Sequence, residues 1–432
     1  MERIKLLALS DSPLLNTGFS TIMMNICNRL ADMGYECWYL GQAIPHAQPL
    51  LMQSSKNVIK NWEINNNVNI PDIQVPSVYL QDGTPFKFNL IGQGMEPYCK
   101  DIIQPWIKRL QPDIYFTLLD TFMVYPWYLD MDFSPAKTVF YYPSDGEPFL
   151  PGNVCDAILK KMTKSVAMSK FGYNQVKNRH RLETEYVPHA IDANMFSPMM
   201  QKDKEILRAQ WGLIGRWVMG CVSRNQPRKM LDRTLKAFAK FAQDKDDVVL
   251  MLHMDPFDRA TAFDMNLLIN ELKIANKVIY TGVQYFLGFP YEKMREIYNL
   301  FDVFCLLTSG EGFGIPTIEA MACEVPVIIT DYTTSYELIE ENGRCGELVK
   351  LQGTESVPRD GQEIYTTVTG SWNIERGLAD IIDAVNKLNK LYYDRDLCMT
   401  YGKTGRRKVL QYYTWDIVMK NWDSLFRKML EE

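Results

Sequence analysis

Histidine is scarce in this chain, with only four residues among 432. No two of them stand at the spacing of a metal-binding pair, so no metal site is expected. The nine cysteines are scattered without a C-x-x-C pair, which predicts reduced thiols rather than a disulfide framework. No Asn-x-Ser/Thr sequon occurs either. These absences argue against a secreted or zinc-dependent protein.

Long apolar runs and a strong excess of one charge are also missing. No stretch approaches the ~18 apolar residues of a membrane span, and the run at residues 4–9 is too short for a signal peptide. A net charge of −5 gives no electrostatic reason to expect a protein that coats nucleic acid. We therefore expect a cytoplasmic protein without a transmembrane segment. Its 47% of hydrophobic residues suffices for two globular domains.

Short apolar runs alternate with helical patterns, which is typical of βαβ units and a parallel sheet. Strands are predicted at residues 4–9, 35–40, 114–119, 138–142, 165–168, 186–187, 217–222, 248–252, 278–280, 303–307 and 325–329. Residues 42–94 are rich in Asn and Pro and predict loops with edge strands. The pattern breaks near residues 188–198, so we expect an α/β fold of two doubly wound domains, 1–195 and 196–414. A ligand is expected at the strand ends, in a cleft between the domains.

The most informative segment, residues 309–329, begins S-G-E-G-F-G-I-P-T-I-E. A buried strand leads into a glycine-rich loop, and Pro316 opens a helix at its first turn. Free backbone N–H groups of residues 314–318 would form a cradle for a diphosphate, with the helix dipole behind them. Glu311 and Glu319 flank the cradle, and because carboxylates repel phosphate, we expect them to bind sugar and ribose hydroxyls. The alternative is an ordinary strand–helix junction.

Charged residues also follow two other predicted strands. Arg224 leaves the end of the strand at residues 217–222, and Lys229 stands at a helix start. A cation there is unfavourable with the helix dipole, so an anion between the two would explain the placement. The alternative is a solvated basic turn. Asp145 follows another predicted strand, where an ordinary Asx turn is the alternative to a functional role.

Together these motifs resemble the retaining glycosyltransferases of the GT-B fold, specifically the family 4 type that is similar to glycogen and sucrose synthases. Glu311 and Glu319 match the E-x₇-E signature of that family, and Arg224 and Lys229 match its Arg-x₄-Lys pair. The sequence V-P-H-A-I-D-A-N-M-F-S-P at residues 187–198 matches its interdomain stretch. The resemblance implies two Rossmann-like domains with an interdomain cleft, and a C-terminal helix at 415–432 that packs back on the first domain.

The resemblance also implies roles for single residues. Those expected to take part in the transfer are Asp145, Arg224, Lys229 and Glu311, of which Asp145 would face the reacting sugar. Those expected to bind the donor are Gly18, Gln284, Phe313, Gly314, Ile315, Thr317, Ile318 and Glu319. The two basic residues would neutralise the departing diphosphate, while Glu311 and Glu319 would hold the transferred sugar and the ribose, respectively. His189 is expected to be structural.

The implied reaction moves a hexosyl or pentosyl group from a nucleotide-diphosphate sugar to a hydroxyl acceptor, with retention and without a metal or other cofactor. The resemblance favours a UDP- or GDP-linked donor over an ADP-linked one. The acceptor stays open among glycan, lipid, protein and modified DNA base. A catalytically inactive nucleotide-sugar-binding protein is the alternative, since the cleft histidine of the family is missing. An epimerase has only Asp145 to support it.

Overall fold

The computed structural model describes residues 3–15, 17–45, 86–147, 152–257, 262–283, 288–352 and 374–432. They form two compact units. The first comprises the described residues within Met1–Pro143, Leu150–His189 and Asp416–Glu432, and the second those within Ser144–Phe149 and Ala190–Trp415. The N-terminal part of the first unit therefore ends at His189, whereas the sequence predicts that the first domain ends at residue 195. The short segment that contains Asp145 belongs to the second unit.

A seven-stranded sheet forms the centre of the first unit, in the order β3-β2-β1-β4-β5-β6-β7. All neighbouring strands are parallel. The strands are β1 (Lys5–Asp11), β2 (Glu36–Pro45), β3 (Asn89–Gln93), β4 (Ile114–Leu118), β5 (Lys137–Tyr142), β6 (Lys164–Ala167) and β7 (Glu185–Tyr186). The central strand β4 is buried along its whole length, as expected of a parallel sheet that is covered on both faces.

The described residues of this unit also form helices. They are α1 (Gly18–Asp32), α2 (Ile103–Leu110), α3 (Thr121–Val124), α4 (Gly152–Lys161) and α5 (Lys170–Asn174). Helix α1 begins where Thr17 Oγ1 accepts a hydrogen bond from Ser20 N at 3.1 Å, which satisfies one of the free N–H groups of the first turn. It ends before Gly34, whose φ of 95° is accessible to glycine at little cost.

The second unit contains a six-stranded parallel sheet in the order β10-β9-β8-β11-β12-β13. Its strands are β8 (Trp217–Val222), β9 (Val248–His253), β10 (Val278–Tyr280), β11 (Val303–Leu306), β12 (Val327–Thr330) and β13 (Gly346–Val349). The helices of this unit are α6 (Gln201–Gln210), α7 (Leu231–Phe241), α8 (Met265–Glu271), α9 (Tyr291–Leu300), α10 (Ile315–Ala322), α11 (Ser335–Ile339), α12 (Ile381–Tyr393) and α13 (Arg395–Tyr412). Both units thus have the 3-2-1-4-5-6 order of a doubly wound nucleotide-binding fold, which confirms the predicted fold class.

The last helix, α14 (Trp415–Glu431), supplies a buried stripe to the first unit. Val418, Met419, Trp422, Phe426 and Met429 are buried at helical spacing. The Trp422 ring lies 4.8 Å from the ring of Phe116 on β4 and 4.9 Å from that of Tyr141 on β5. Residues after Trp415 thus belong to the first unit, whereas Tyr413 and Trp415 belong to the second.

Two further expectations concern helices and thiols. Among the described helices, none is both long enough and apolar enough to span a membrane. The cysteines whose side chains are described are unpaired thiols, and all of them except Cys398 are buried. Burial raises the pKa of the Cys221 thiol to about 12, so it stays protonated near neutral pH.

We predict that Trp422→Ala destabilises the first unit, because the fully buried indole fills the space between α14 and the sheet. A Trp→Ala change at such a site costs about 3–5 kcal/mol. Urea denaturation followed by far-UV circular dichroism measures the loss. Lys420→Ala, at an exposed position of the same helix, is the control. Equal stability of the two variants would contradict the packing argument.

Candidate active site

The strand order of the second unit reverses between β8 and β11, which are adjacent in the sheet and run parallel. In an open α/β sheet, the loops that leave the carboxyl ends of two such strands diverge and leave a crevice for a ligand. The loop after β8 contains the turn Pro227–Lys229. The loop after β11 contains Glu311 and ends at Gly314, the N-cap of α10. The two segments singled out in the sequence therefore meet at one edge of the sheet.

Lys229 and Glu311 form an ion pair between these two loops. Lys229 Nζ lies 2.6 Å from Glu311 Oε1 and 2.8 Å from Oε2, so the ammonium group contacts both carboxylate oxygens. Their side chains are only 10% and 12% exposed. The two charges are shielded from water and compensate each other. Removing either one would therefore leave an uncompensated buried charge.

Arg228 adds a second cation to the same carboxylate. Its Nη1 lies 3.2 Å from Glu311 Oε2 and donates to the carbonyl oxygen of Gly310 at 3.3 Å. Its Nε lies 3.7 Å from Asp145 Oδ2. One guanidinium group therefore stands between the two carboxylates that the sequence assigned to the transferred sugar.

The backbone also joins the two loops. The carbonyl oxygen of Arg228 accepts hydrogen bonds from Ser309 N and Ser309 Oγ, both at 2.8 Å. Thr308 Oγ1 donates to the same oxygen at 3.2 Å. Glu311 N donates to Thr333 Oγ1 at 3.1 Å, which ties the β11 loop to the loop after β12. The positions of the charged side chains are thus fixed by main-chain contacts as well as by charge.

The charges hold Glu311 ionised. Burial alone would raise its pKa, but the positive charges of Lys229 and Arg228 outweigh burial and lower the pKa to about 2. Burial and the neighbouring charge of Arg228 lower the pKa of Lys229, against the opposing effect of Glu311. The cluster therefore presents an ionised carboxylate to a ligand at neutral pH.

Helix α10 presents fewer free N–H groups than the sequence predicts. Gly314 has a φ of 99° and caps the helix. Its carbonyl oxygen accepts from Thr317 N at 2.9 Å and from Ile318 N at 3.4 Å, and Pro316 has no N–H. The expectation of a cradle over residues 314–318 is therefore wrong in extent. Among the described residues, Gly314 N and Ile315 N have no acceptor, and these two N–H groups are left for an anion.

Glu319 lies one turn inside α10 and accepts a hydrogen bond from Tyr298 OH, at 2.6 Å from Oε2. Tyr298, on α9, is fully buried. Burial raises the pKa of Glu319 to about 7, although the bond from Tyr298 acts in the opposite direction. Glu319 thus titrates near neutral pH, and its protonated form can donate as well as accept a hydrogen bond.

Asp145 enters the cluster through a second arginine. Arg376 Nη1 lies 2.8 Å from Asp145 Oδ2 and also donates to the carbonyl oxygen of Asp145. The two side chains are 12% and 26% exposed, respectively. The structure thus brings Asp145, Arg228, Lys229 and Glu311 together, with Arg376 as a fifth member.

The remaining predicted residues are distributed over both units. Arg224 stands two residues after β8 and is partly exposed. Phe313 is buried, and its carbonyl oxygen accepts from Thr334 Oγ1 at 2.7 Å. Gly18 opens α1 in the first unit, and its contact with a donor stays a prediction. Gln284 lies outside the described residues.

His189 is a buried residue of the first unit. Its Nδ1 lies 2.8 Å from the hydroxyl oxygen of Tyr141. Burial lowers its pKa to about 3, so the ring is neutral over the physiological range. A neutral ring inside the first unit is consistent with a structural role.

Three residues of this site have no role predicted from the sequence. Arg228 belongs to the predicted basic turn, but its bridging position depends on the strand order. Tyr298 is one of many aromatic residues at helical spacing. Arg376 is separated from Asp145 by 231 positions, and no local pattern signals such a contact. Among the described residues, no three His, Cys, Asp or Glu side chains gather as a metal site would require; the need for a metal stays untested.

Residues 203–359 match the protein family described as "Glycosyl transferases group 1". The chain is also similar to two curated proteins. It is 25% identical over 180 residues to a probable sucrose-phosphate synthase of Thermosipho melanesiensis, covering 39% of this chain and 40% of that protein. It is 22% identical over 245 residues to an MMP alpha-(1->4)-mannosyltransferase of Mycolicibacterium hassiacum, covering 56% of this chain and 48% of that protein. The matches thus span less than half the length of either relative.

Solved structures resemble the chain over nearly its whole length. The sucrose-phosphate synthase from Thermosynechococcus elongatus has a TM-score of 0.71 at 16% identity, covering 99% of this chain and 100% of that chain. Anabaena HepE, solved in complex with UDP and glucose, has a TM-score of 0.68 at 15% identity, with coverage of 99% and 100%. At such low identity the likeness shows the fold alone: two Rossmann-like domains, as in glycosyltransferases of the GT-B fold.

We predict that Glu319 makes stability fall as the pH rises through about 7. Its pKa is raised above the ordinary 4.5, so the neutral carboxyl contributes fully at low pH and the contribution is lost as the folded protein is forced to ionise it. Urea denaturation between about pH 5 and pH 8 should show a smaller decline in Glu319→Gln than in the wild type. Glu271→Gln, at an exposed position, is the control. Parallel curves for the wild type and Glu319→Gln would contradict the burial of this carboxyl.

Proposed function

Because residues 203–359 match the glycosyl transferases group 1 family, we propose that the protein transfers a sugar from a nucleotide-diphosphate sugar to a hydroxyl acceptor. The proposal includes retention of the anomeric configuration and a UDP- or GDP-linked donor. The observation that supports it most is the cluster of Lys229, Arg228 and Glu311 beside the N-terminus of α10. Cations and free N–H groups suit a diphosphate, and carboxylates suit the hydroxyl groups of a sugar.

The proposed step needs no protein nucleophile. The acceptor oxygen forms a bond to the anomeric carbon while the bond from that carbon to the diphosphate oxygen breaks. The electron pair of the broken bond stays on the diphosphate, whose oxygen takes the acceptor proton. Because negative charge grows on the leaving group, Lys229, Arg228 and the N–H groups of Gly314 and Ile315 would stabilise the transition state more than the ground state.

The same residues favour an enzyme over an inactive binding protein on this fold. A protein that only binds a nucleotide sugar needs an anion site, and it needs no group that responds to developing charge. A cation pair fixed by Glu311 and by main-chain contacts suits a site that is preorganised for such charge. Slow hydrolysis of the donor in water would support the enzyme even before the acceptor is found.

We predict that purified protein releases nucleotide diphosphate from at least one donor in a panel of UDP-, GDP- and ADP-linked sugars. Mass spectrometry of mixed acceptor pools should detect the glycosylated product, and NMR of its anomeric proton should report retention. Turnover should survive chelation with EDTA, because Arg228 and Lys229 supply positive charge. An inverted product would overturn retention. Loss of turnover with EDTA and recovery with Mg²⁺ or Mn²⁺ would overturn the metal-free step.

We predict that Lys229→Ala mainly impairs turnover and that Glu319→Ala mainly impairs nucleotide binding. Lys229→Ala should lower kcat far more than it weakens nucleotide binding, since charge on the leaving group grows in the transition state. Glu319→Ala should mainly weaken nucleotide binding, by about 1–3 kcal/mol for lost hydrogen bonds to the ribose. Steady-state kinetics and titration calorimetry with the nucleotide measure the two effects.

The control for Lys229→Ala is Lys236→Ala on α7, which removes one positive charge from an exposed ion pair with Asp232. Circular dichroism melting curves establish that each variant is folded. Equal losses of kcat and of nucleotide affinity in both site variants would contradict the assignment of separate roles.

A further inference from the structure

Asp145 is held more tightly by Arg376 than by Arg228. Arg376 Nη1 lies 2.8 Å from Asp145 Oδ2, whereas Arg228 Nε lies 3.7 Å from the same oxygen. Arg376 also donates to the carbonyl oxygen of Asp145. A guanidinium group that contacts both the side chain and the main chain of one residue fixes its orientation as well as its charge.

The main chain around Asp145 fits closely against the rest of the second unit. A Cβ atom at Gly310 would lie 1.9 Å from the carbonyl oxygen of Asp145, and a Cβ atom at Gly146 would lie 2.5 Å from that of Glu375. Only glycine leaves room at these two approaches, because real Cβ contacts are never so short. The segment with Asp145 is therefore built into this site.

Arg376 is held in place independently of Asp145. Glu375 N donates to Glu147 O at 2.5 Å, and Glu147 N donates to Glu375 O at 3.3 Å. On the other side, Gly377 N donates to Ser309 O at 2.9 Å, next to the loop with Glu311. The guanidinium group thus projects from a main-chain segment that is attached to both sides of the cluster.

The ion pair between Arg376 and Asp145 determines the net charge of the cluster. Asp145 and Glu311 carry two negative charges, and Arg228, Lys229 and Arg376 carry three positive ones. Without Arg376 the cluster would be neutral, and Asp145 would draw Arg228 away from Glu311. With Arg376 in place the cluster keeps one excess positive charge, on the side where Arg228 and Lys229 lie together.

We propose that Arg376 is a positioning residue of the candidate active site: by neutralising and orienting Asp145, it keeps Arg228 beside Lys229 for the diphosphate of the substrate. The inference rests on the proposed function for the identity of that anion. It adds a residue that lies outside the matched family domain at 203–359. It also implies that Asp145 would weaken anion binding if Arg376 were absent, because its carboxylate would no longer be neutralised.

The test measures the affinity of inorganic pyrophosphate by titration calorimetry in the intact chain of 432 residues. We expect Arg376→Gln to weaken binding by about tenfold. Asp145→Asn should bind pyrophosphate at least as tightly as the wild type, because it removes a negative charge. The double variant Asp145→Asn/Arg376→Gln should match Asp145→Asn within about twofold, since Arg376 then has no carboxylate to neutralise. Arg376→Lys should restore most of the loss, and Lys236→Gln should leave the affinity unchanged.

Three outcomes would overturn the inference. They are wild-type affinity in Arg376→Gln, an equal loss whether or not Asp145 is replaced, and no binding of pyrophosphate by the wild type. An equal loss in both backgrounds is what a purely structural role would produce. Failure of the proposed function is a separate result. If the effect of Arg376→Gln on pyrophosphate affinity depends on Asp145 but no donor sugar is transferred, the role of Arg376 is supported and the transferase activity is refuted.

Discussion

Lys229 and Glu311 bury their charges together where two loops of the second sheet meet, and the geometry of both loops depends on this pair. Each charge loses hydration, and the short contacts at 2.6 and 2.8 Å, together with the contact of Arg228 with Glu311, compensate for that loss. Breaking one buried partner from another typically costs about 3–5 kcal/mol. A loop that carried either residue alone would move toward solvent. With both present, the loops after β8 and β11 are joined by charge as well as by main-chain bonds, and Arg228 lies beside the same carboxylate.

The turn before α7 shows what this pair has to hold in place. Met230 has a φ of 44°, in the left-handed region that favours glycine, directly after the turn that contains Lys229. A non-glycine residue in this conformation costs of order 1 kcal/mol or more, and it persists only where its surroundings determine it. The bonds from Ser309 to the carbonyl oxygen of Arg228 and the ion pair to Glu311 supply those surroundings. Local strain and the charge cluster thus belong to one arrangement.

The sequence predicts the frame of the fold better than the contacts of the site. Strands β8 and β10 have the predicted bounds, because each is an apolar run limited by turn residues. Strand β13 is missing from the prediction, since its Glu347 looks like a surface residue; the carboxylate is in fact buried and paired with Lys387 and Lys390. Arg376 escapes prediction for the same reason: its partner is fixed by tertiary structure, and no spacing in the chain records it.

The two glutamates of the E-x₇-E spacing show why residue type alone does not determine chemistry. Glu311 precedes α10 and faces two cations, so its pKa falls to about 2, whereas Glu319 faces the phenol of a buried tyrosine, and burial raises its pKa to about 7. The eight-residue separation is what allows this difference, because it places one carboxylate in the loop and the other inside the helix. Glu311 is bound into the cation cluster and can only accept hydrogen bonds. Glu319 is partly protonated near neutral pH, so it can donate a hydrogen bond to one hydroxyl group or accept one from another. The proposed donor has a sugar beside its diphosphate and a ribose farther from it, so the two kinds of carboxyl would suit its two hydroxyl-bearing groups.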